Sequence, residues 1–157
     1  MQYYNEISTG YEELYGEEQQ RKIAIIKNHI KLKKSDLLLD VGCGTGLTTI
    51  AWNCKTIGLD PAIKLLKRAE NSYYINAEAE HIPFKNNSFD TVISITAIQN
   101  FYNIKKGLEE IKRVGRKRFI LSCLKKSQKA EKIKELIQDL FKIKKIIIED
   151  KDIIYFI

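Results

Sequence analysis

Hydrophobic positions along this chain follow two alternating rhythms. Leu37 to Val41 is apolar except for Asp40, and so short an apolar run, followed at once by glycines, predicts a strand buried on both faces. Comparable runs recur at Thr56 to Leu59, around Tyr73 to Asn76, at Asp90 to Ile95, where Val92 and Ser94 alternate with Ile93 and Ile95, and at Phe119 to Cys123. Between them the apolar residues return every three or four positions. Glu17 to Ile30 carries Ile23, Ile26 and Ile30 on one helical face; Gly46 to Trp52 is expected to open a second helix, and Ala62 to Ala69 a third, announced by Asp60-Pro61. Ile104 to Val114 turns Leu108 and Ile111 inward, and Ser127 to Phe141 does the same with Ile133, Leu136, Ile137 and Leu140. Two last strands, Ile143 to Glu149 and Ile153 to Ile157, are joined by Asp150-Lys151-Asp152, a connection short enough to require an antiparallel pair. Strands alternating with helices and ending in a hairpin predict an α/β sandwich around a doubly wound, mainly parallel sheet.

The 157 residues contain two prolines and no Ser/Gly/Pro-rich stretch or internal repeat, so a single domain over 1–157 is expected, with a lead-in and helix in 1–33 and the sheet core in 37–157. A 44% hydrophobic composition suffices for a core without disulfides or metals. No apolar run reaches membrane-spanning length, and the N-terminus is polar and acidic where a secretory leader would be basic and then apolar, which predicts a soluble, cytoplasmic protein. Cys43, Cys54 and Cys123 are odd in number, widely spaced and without a CxxC pair; reduced core thiols and no metal site are expected.

Charge changes the picture more than composition does. The net charge of +7 is confined to one part of the chain: residues 103–157 hold 16 basic and 8 acidic side chains, a net of +8. A polyanion such as RNA would be drawn to that third; the plain alternative is a solvated lysine surface of the kind thermophiles carry.

The segment LLLDVGCGTG concentrates the candidate chemistry, because glycine alone lets backbone amides approach a ligand with no Cβ in the way. In a doubly wound sheet, ligands sit beyond the C-terminal strand ends where the winding reverses, and Gly42, Gly44 and Gly46 fall at that point. A dinucleotide reader would need G-x-G-x-x-G to seat a pyrophosphate on a helix N-terminus, but position 47 is Leu, and Asp40 suits a cationic ligand better than a diphosphate. An NAD-dependent oxidoreductase is disfavoured on that ground. Asp60, at the end of the second strand, is placed to accept both hydroxyls of a ribose or, more plainly, to cap the helix after it.

LLLDVGCGTG, GLDPA and EAEHIPFKNNSFDTVIS, in this order and spacing, resemble the successive motifs of class I S-adenosylmethionine-dependent methyltransferases over roughly Leu37 to Leu124. The resemblance implies a Rossmann-like seven-stranded sheet and S-adenosylmethionine as cofactor. It assigns Asp40, Gly42, Cys43 and Gly44 to the methionyl part, Gly46 to the same cofactor-binding segment, Asp60 to the ribose, Ala62 or Ile63 to the flank of the adenine, Glu78 to its amine and the Ala79 amide to its ring. Where this chain has Glu78 the family more often has Asp. Tyr11 and Tyr15, in an N-terminal cluster with Tyr3 and Tyr4, match the aromatic lead-in that relatives fold over the cofactor; their spacing of four is equally that of plain helix packing.

Methyl transfer from a sulfonium is an in-line displacement with a neutral leaving group, so alignment and desolvation carry the catalysis and no triad is needed. The stretch from Ile95 to Phe101 would border the methyl, with Ile95, Gln99 and Asn100 positioning the acceptor and Phe101 or Tyr102 stacking on a base. ISITAIQNF is similar to the corresponding stretch of small-subunit rRNA guanine methyltransferases and, less closely, of tRNA wobble-uridine methyltransferases, which implies an RNA acceptor. A small-molecule acceptor and a catalytically silent cofactor-binding subunit are the alternatives. Those RNA enzymes use a small zinc-binding activator protein at a sheet edge, and Ser72 to Asn76, an edge strand with no Lys or Pro to block pairing, is where such a partner or a second copy of the chain would add.

Overall fold

The computed structural model describes residues 11–69 and 73–157, with side chains from Gly16 onward. A helix α1 (Tyr11–His29) precedes strand β1 (Leu37–Val41), a 3-10 turn (Thr49–Ala51), β2 (Lys55–Leu59), α2 (Ile63–Leu66), β3 (Tyr73–Ile75) and β4 (Phe89–Ser94). A second 3-10 turn (Ile98–Asn100), α3 (Ile104–Val114), β5 (Gly115–Leu124), α4 (Ala130–Leu140), β6 (Lys145–Ile148) and β7 (Asp152–Phe156) complete the order. The strands form one seven-stranded sheet in the order β3-β2-β1-β4-β5-β7-β6. Strands β1 to β5 pair in parallel, and β7 runs antiparallel between β5 and β6. This is the α/β sheet with a closing hairpin that the periodicity predicts.

Strand parity sorts the core into two layers. Leu39, Val41, Val92, Leu121 and Tyr155 point to one face, where Leu108 and Ile111 of α3 and Ile133 and Ile137 of α4 cover them. Leu38, Ile93, Ile120 and Ile154, each one position away from such a residue, point to the other, where Ile95 just past β4 joins them against Ile26 of α1. Helix α3 starts where expected because Asn103 caps it, its side chain accepting the Lys106 amide at 3.1 Å.

Several boundaries differ from expectation. Gly46 to Trp52 makes one 3-10 turn and no α-helix: Gly46 sits at φ +85°, and Asp40 takes the hydroxyls of Thr48 and Thr49, which fastens the segment to the strand end. Helix α2 stops at Leu66 and tightens into i→i−3 bonds through Arg68 and Ala69. Strand β5 begins at Gly115, where it pairs with Phe89 before a register shift. Helix α4 begins at Ala130, because Ser127 forms a turn in which its hydroxyl accepts the Lys129 amide at 3.2 Å. No helix among the described residues is long and apolar enough to cross a membrane, and none of their acidic, His and Cys side chains group as a metal site would.

Candidate functional site

The C-terminal ends of β1, β2 and β4 converge where the sheet's winding reverses. Leaving β1, the chain enters the left-handed region at Gly42 (φ +79°) and again at Gly44 (φ +56°). The Gly42 and Cys43 amides both donate to the Leu59 carbonyl, at 2.7 and 3.1 Å, so the bend is laid against the end of β2. A Cβ on Gly42 would stand 2.4 Å from the Cβ of Ala97, so this close approach of the β1 and β4 loops exists only with glycine.

Asp60 is the hinge of this end. One carboxylate oxygen accepts the Gly44 amide at 2.9 Å and the other the Ala62 amide at 2.7 Å, while Asn76 donates to its carbonyl at 2.9 Å. Burial pushes its carboxyl up from the ordinary value, and the two amides partly oppose that. Asp40 lies deeper and does not border the cavity. Burial raises its pKa to about 6 despite the hydroxyls of Thr48 and Thr49, and its observed work is to hold the turn after the glycines.

These loops enclose a cavity of about 310 Å³, within the range of small-molecule sites. Gly42, Gly44, Asp60, Ala62, Glu78 and Ala79 wall one end; Thr96, Ala97, Gln99, Asn100, Phe101, Tyr102 and Lys129 wall the other. Of the residues singled out in the sequence, Cys43 and Gly46 lie behind this wall, the former with its thiol packed toward Gly58, the latter under the Tyr74 hydroxyl. Ile63 is exposed, and Ile95 is buried in the core layer on the α1 side. The side chains of Tyr11 and Tyr15 lie outside the described residues, as do Tyr3 and Tyr4.

Sequence reasoning misses the residues that support the second end. Lys129, from the turn before α4, borders the cavity and donates to the Gln99 carbonyl at 2.9 Å; Gln99 in turn donates to the Thr96 carbonyl at 2.7 Å. Thr96 holds φ +57°, rare for a β-branched residue. Its hydroxyl accepts from Lys22 at 2.8 Å and donates to Asp152 at 2.7 Å, and its amide donates to the Ser122 hydroxyl at 2.8 Å. Lys22 is fully buried, 2.6 Å from Glu18 and 3.0 Å from Asp152. The available signal is that Glu18, Lys22 and Ile26 share one helical face, so a lysine on an apolar face needs buried partners.

A family model described as a methyltransferase domain matches residues 39–123. An uncharacterized protein of Methanocaldococcus jannaschii is 36% identical over 119 residues, covering 72% of this chain and 46% of the relative. A tRNA (carboxymethyluridine(34)-5-O)-methyltransferase of Schizosaccharomyces pombe is 34% identical over 80 residues (50% and 35% covered), and a demethylmenaquinone methyltransferase of Lactiplantibacillus plantarum 34% over 115 (63% and 48%). The chain thus spans less than half the length of these relatives. A solved complex between the Haloferax volcanii Trm112 methyltransferase activator and a methyltransferase candidate holds a chain that shares the fold, with a TM-score of 0.71 at 18% identity over 76% of this chain and 59% of that one. The family, together with SAM-dependent neighbours of known structure, implies S-adenosylmethionine as the cofactor. With its family match running from β1 through β5 and enclosing the glycine bend, Asp60 and the loop after β4, the chain belongs to the methyltransferase domain family.

Proposed function

We propose that the cavity binds S-adenosylmethionine and that the chain directs transfer of its methyl group to a base of an RNA. The observation that carries the donor half is the wall formed by Gly42, Gly44 and Asp60, where bare backbone and a buried carboxylate meet at the sheet's switch point. Asp60 would exchange its two amide partners for, or share them with, the ribose hydroxyls; Glu78 and the Ala79 amide would face the adenine; Gly42 and Gly44 would leave room for the methionyl chain. The bound cofactor supplies an electrophilic methyl on a cationic sulfur.

What remains for the protein is alignment and exclusion of water, worth on the order of 7–11 kcal/mol in a well-oriented pair. Gln99, Asn100 and the ring of Tyr102 stand at the end of the cavity where an acceptor would enter. Tyr102 is 95% exposed there, an unusual place for a large aromatic side chain and a suitable one for stacking on a base. The cavity itself is small enough for a metabolite, which keeps a small-molecule acceptor as the second reading.

A partner at the β3 edge belongs to the same reading. Tyr73 is 69% exposed on that edge strand, which has β2 on one side only, so a strand from an activator protein could extend the sheet.

Calorimetry with S-adenosylhomocysteine tests the donor half: uptake by the wild type and a loss of about 10–100-fold in Asp60→Ala are expected from loss of charged hydrogen bonds. No uptake, or an unaffected variant, overturns it. Mass spectrometry of RNA nucleosides after incubation with methyl-labelled donor tests the acceptor, and label found only in the metabolite fraction selects the second reading.

A further inference from the structure

A groove of about 410 Å³ lies at the start of β5, at the opposite end of that strand from the cavity. Lys112 from the last turn of α3, Arg116 and Lys117 from β5, and Lys142 and Lys144 from the segment between α4 and β6 line it. Its floor is apolar, made by Phe119 and Phe141 with ring centroids 5.1 Å apart. Arg116 and Lys117 share one carboxylate, Asp90, at 2.8 and 2.6 Å. Lys112 lies over the Phe141 ring at 5.9 Å, and no carboxylate among the described residues pairs with it, with Lys142 or with Lys144. Five cations therefore line one concave surface, and among the described residues Asp90 is the carboxylate that pairs with any of them.

Like charges gathered without partners repel one another, so this arrangement is most stable with anions between them. Helix α3 connects the groove to the cavity mouth: Tyr102 precedes its first turn, Lys112 lies in its last, and its eleven residues span about 16 Å. We propose that the groove binds the phosphate backbone of a single-stranded RNA segment whose neighbouring nucleotides run along α3 to the cavity, where the exposed ring of Tyr102 offers a face for a stacked base. This rests on the reading of the cavity as a methyl-transfer site acting on an RNA base, and it assigns substrate holding to residues that touch neither cofactor nor methyl.

Fluorescence anisotropy with a labelled oligouridylate of about 12 nucleotides, a length within single-strand site sizes, tests it between about 50 and 200 mM salt. The variants are a groove triple, Lys112→Gln, Lys142→Gln and Lys144→Gln, and a control triple of exposed lysines beside β3, Lys55→Gln, Lys64→Gln and Lys67→Gln. At roughly 0.7 per neutralised phosphate, the groove triple should reduce the slope of log affinity against log salt by about 2 and weaken binding about 10–100-fold. The control should change neither by more than about twofold.

Equal losses in both triples, an unchanged slope in the groove triple, or binding to phosphatidylglycerol vesicles in place of the oligonucleotide would each overturn the proposal. Uptake of S-adenosylhomocysteine, measured on the same preparations, reports separately on the cavity. If the cofactor fails to bind, the methyl-transfer reading fails whatever the salt slope shows.

Discussion

Replacing Lys22 by Met removes the single ammonium group at the centre of the buried network behind Thr96. Lys22 and Asp152 have fully buried side chains, and Glu18 is nearly so. Burial would by itself push the Glu18 carboxyl up, but hydrogen bonds from Lys151 and Lys22 bring it below its ordinary value. In Lys22→Met, Glu18 keeps Lys151 at 2.7 Å, whereas Asp152 is left with two hydroxyls, those of Thr96 and Ser122, and no cation. Breaking a buried pair from one side costs about 3–5 kcal/mol, a large share of the roughly 5–15 kcal/mol typical of a domain. The double variant Lys22→Met with Asp152→Asn removes both charges while the new amide oxygen can still accept the two hydroxyls, so it should recover at least about 2 kcal/mol of that loss. Urea unfolding followed by circular dichroism measures both. If Lys22→Met is too unstable to purify, recovery of a folded double variant demonstrates the same compensation. A single variant within about 1 kcal/mol of the wild type, or a double variant whose loss equals the sum of the two singles, would refute the assignment of Lys22 as the charge that makes Asp152 tolerable.

Three other outcomes follow from the same geometry. Because burial raises Asp40 to about 6 in the folded chain against about 3.9 unfolded, its contribution to stability is fully present below about pH 4 and is lost as pH rises through 6, about 3 kcal/mol in all. Asp40→Asn should therefore gain on the wild type between about pH 4 and 7 in urea melts, and parallel pH curves for the two would count against it. Gly42→Ala combines about 1–2 kcal/mol of left-handed backbone strain with a contact at 2.4 Å to Ala97, and should cost about tenfold or more in S-adenosylhomocysteine affinity by calorimetry. Burial pushes the Cys123 thiol to about 12 and that of Cys43 well above its ordinary value, so thiol reagents at about pH 8 should modify the half-buried Cys54 first; mass mapping that finds Cys43 or Cys123 labelled before it contradicts this packing.

Sequence pattern reveals the sheet because buried parallel strands are apolar on both faces, a signal that survives with no knowledge of neighbours: Leu37–Val41 is delimited by residue type alone. The turn after it reads as a helix because Thr48 and Thr49 have no strong preference until Asp40 is known to point at them. Asp60 is visible as a carboxylate at a strand end, since its two amide partners lie within the adjoining loops. Lys129 is not visible. It meets Gln99 only after α3 and β5 have carried the chain away and back, and nothing distinguishes it from other lysines of the basic third.

The two ends of the cavity depend on different parts of the chain, and this has a consequence for specificity. Everything that borders the donor end, from Gly42 to Ala79, lies inside the family match at 39–123. The opposite end is braced from outside it: Lys22 of α1 and Asp152 of β7 fix Thr96, and Lys129 fixes Gln99. Thr96 holds a backbone conformation that costs about 1–3 kcal/mol unless its surroundings impose it, so, on the reading proposed above, altering the brace is expected to move the wall at Thr96 and Gln99 more than the wall at Asp60. That reading divides the cavity into two walls that can be altered separately. It predicts that Lys129→Met, which removes the clamp on Gln99 from an exposed side chain, keeps S-adenosylhomocysteine affinity within about twofold and changes how much methyl label reaches RNA relative to metabolites. A matching loss of cofactor affinity in that variant would mean that the two ends are one mechanical unit, and that acceptor choice cannot be assigned to the segments flanking the family match.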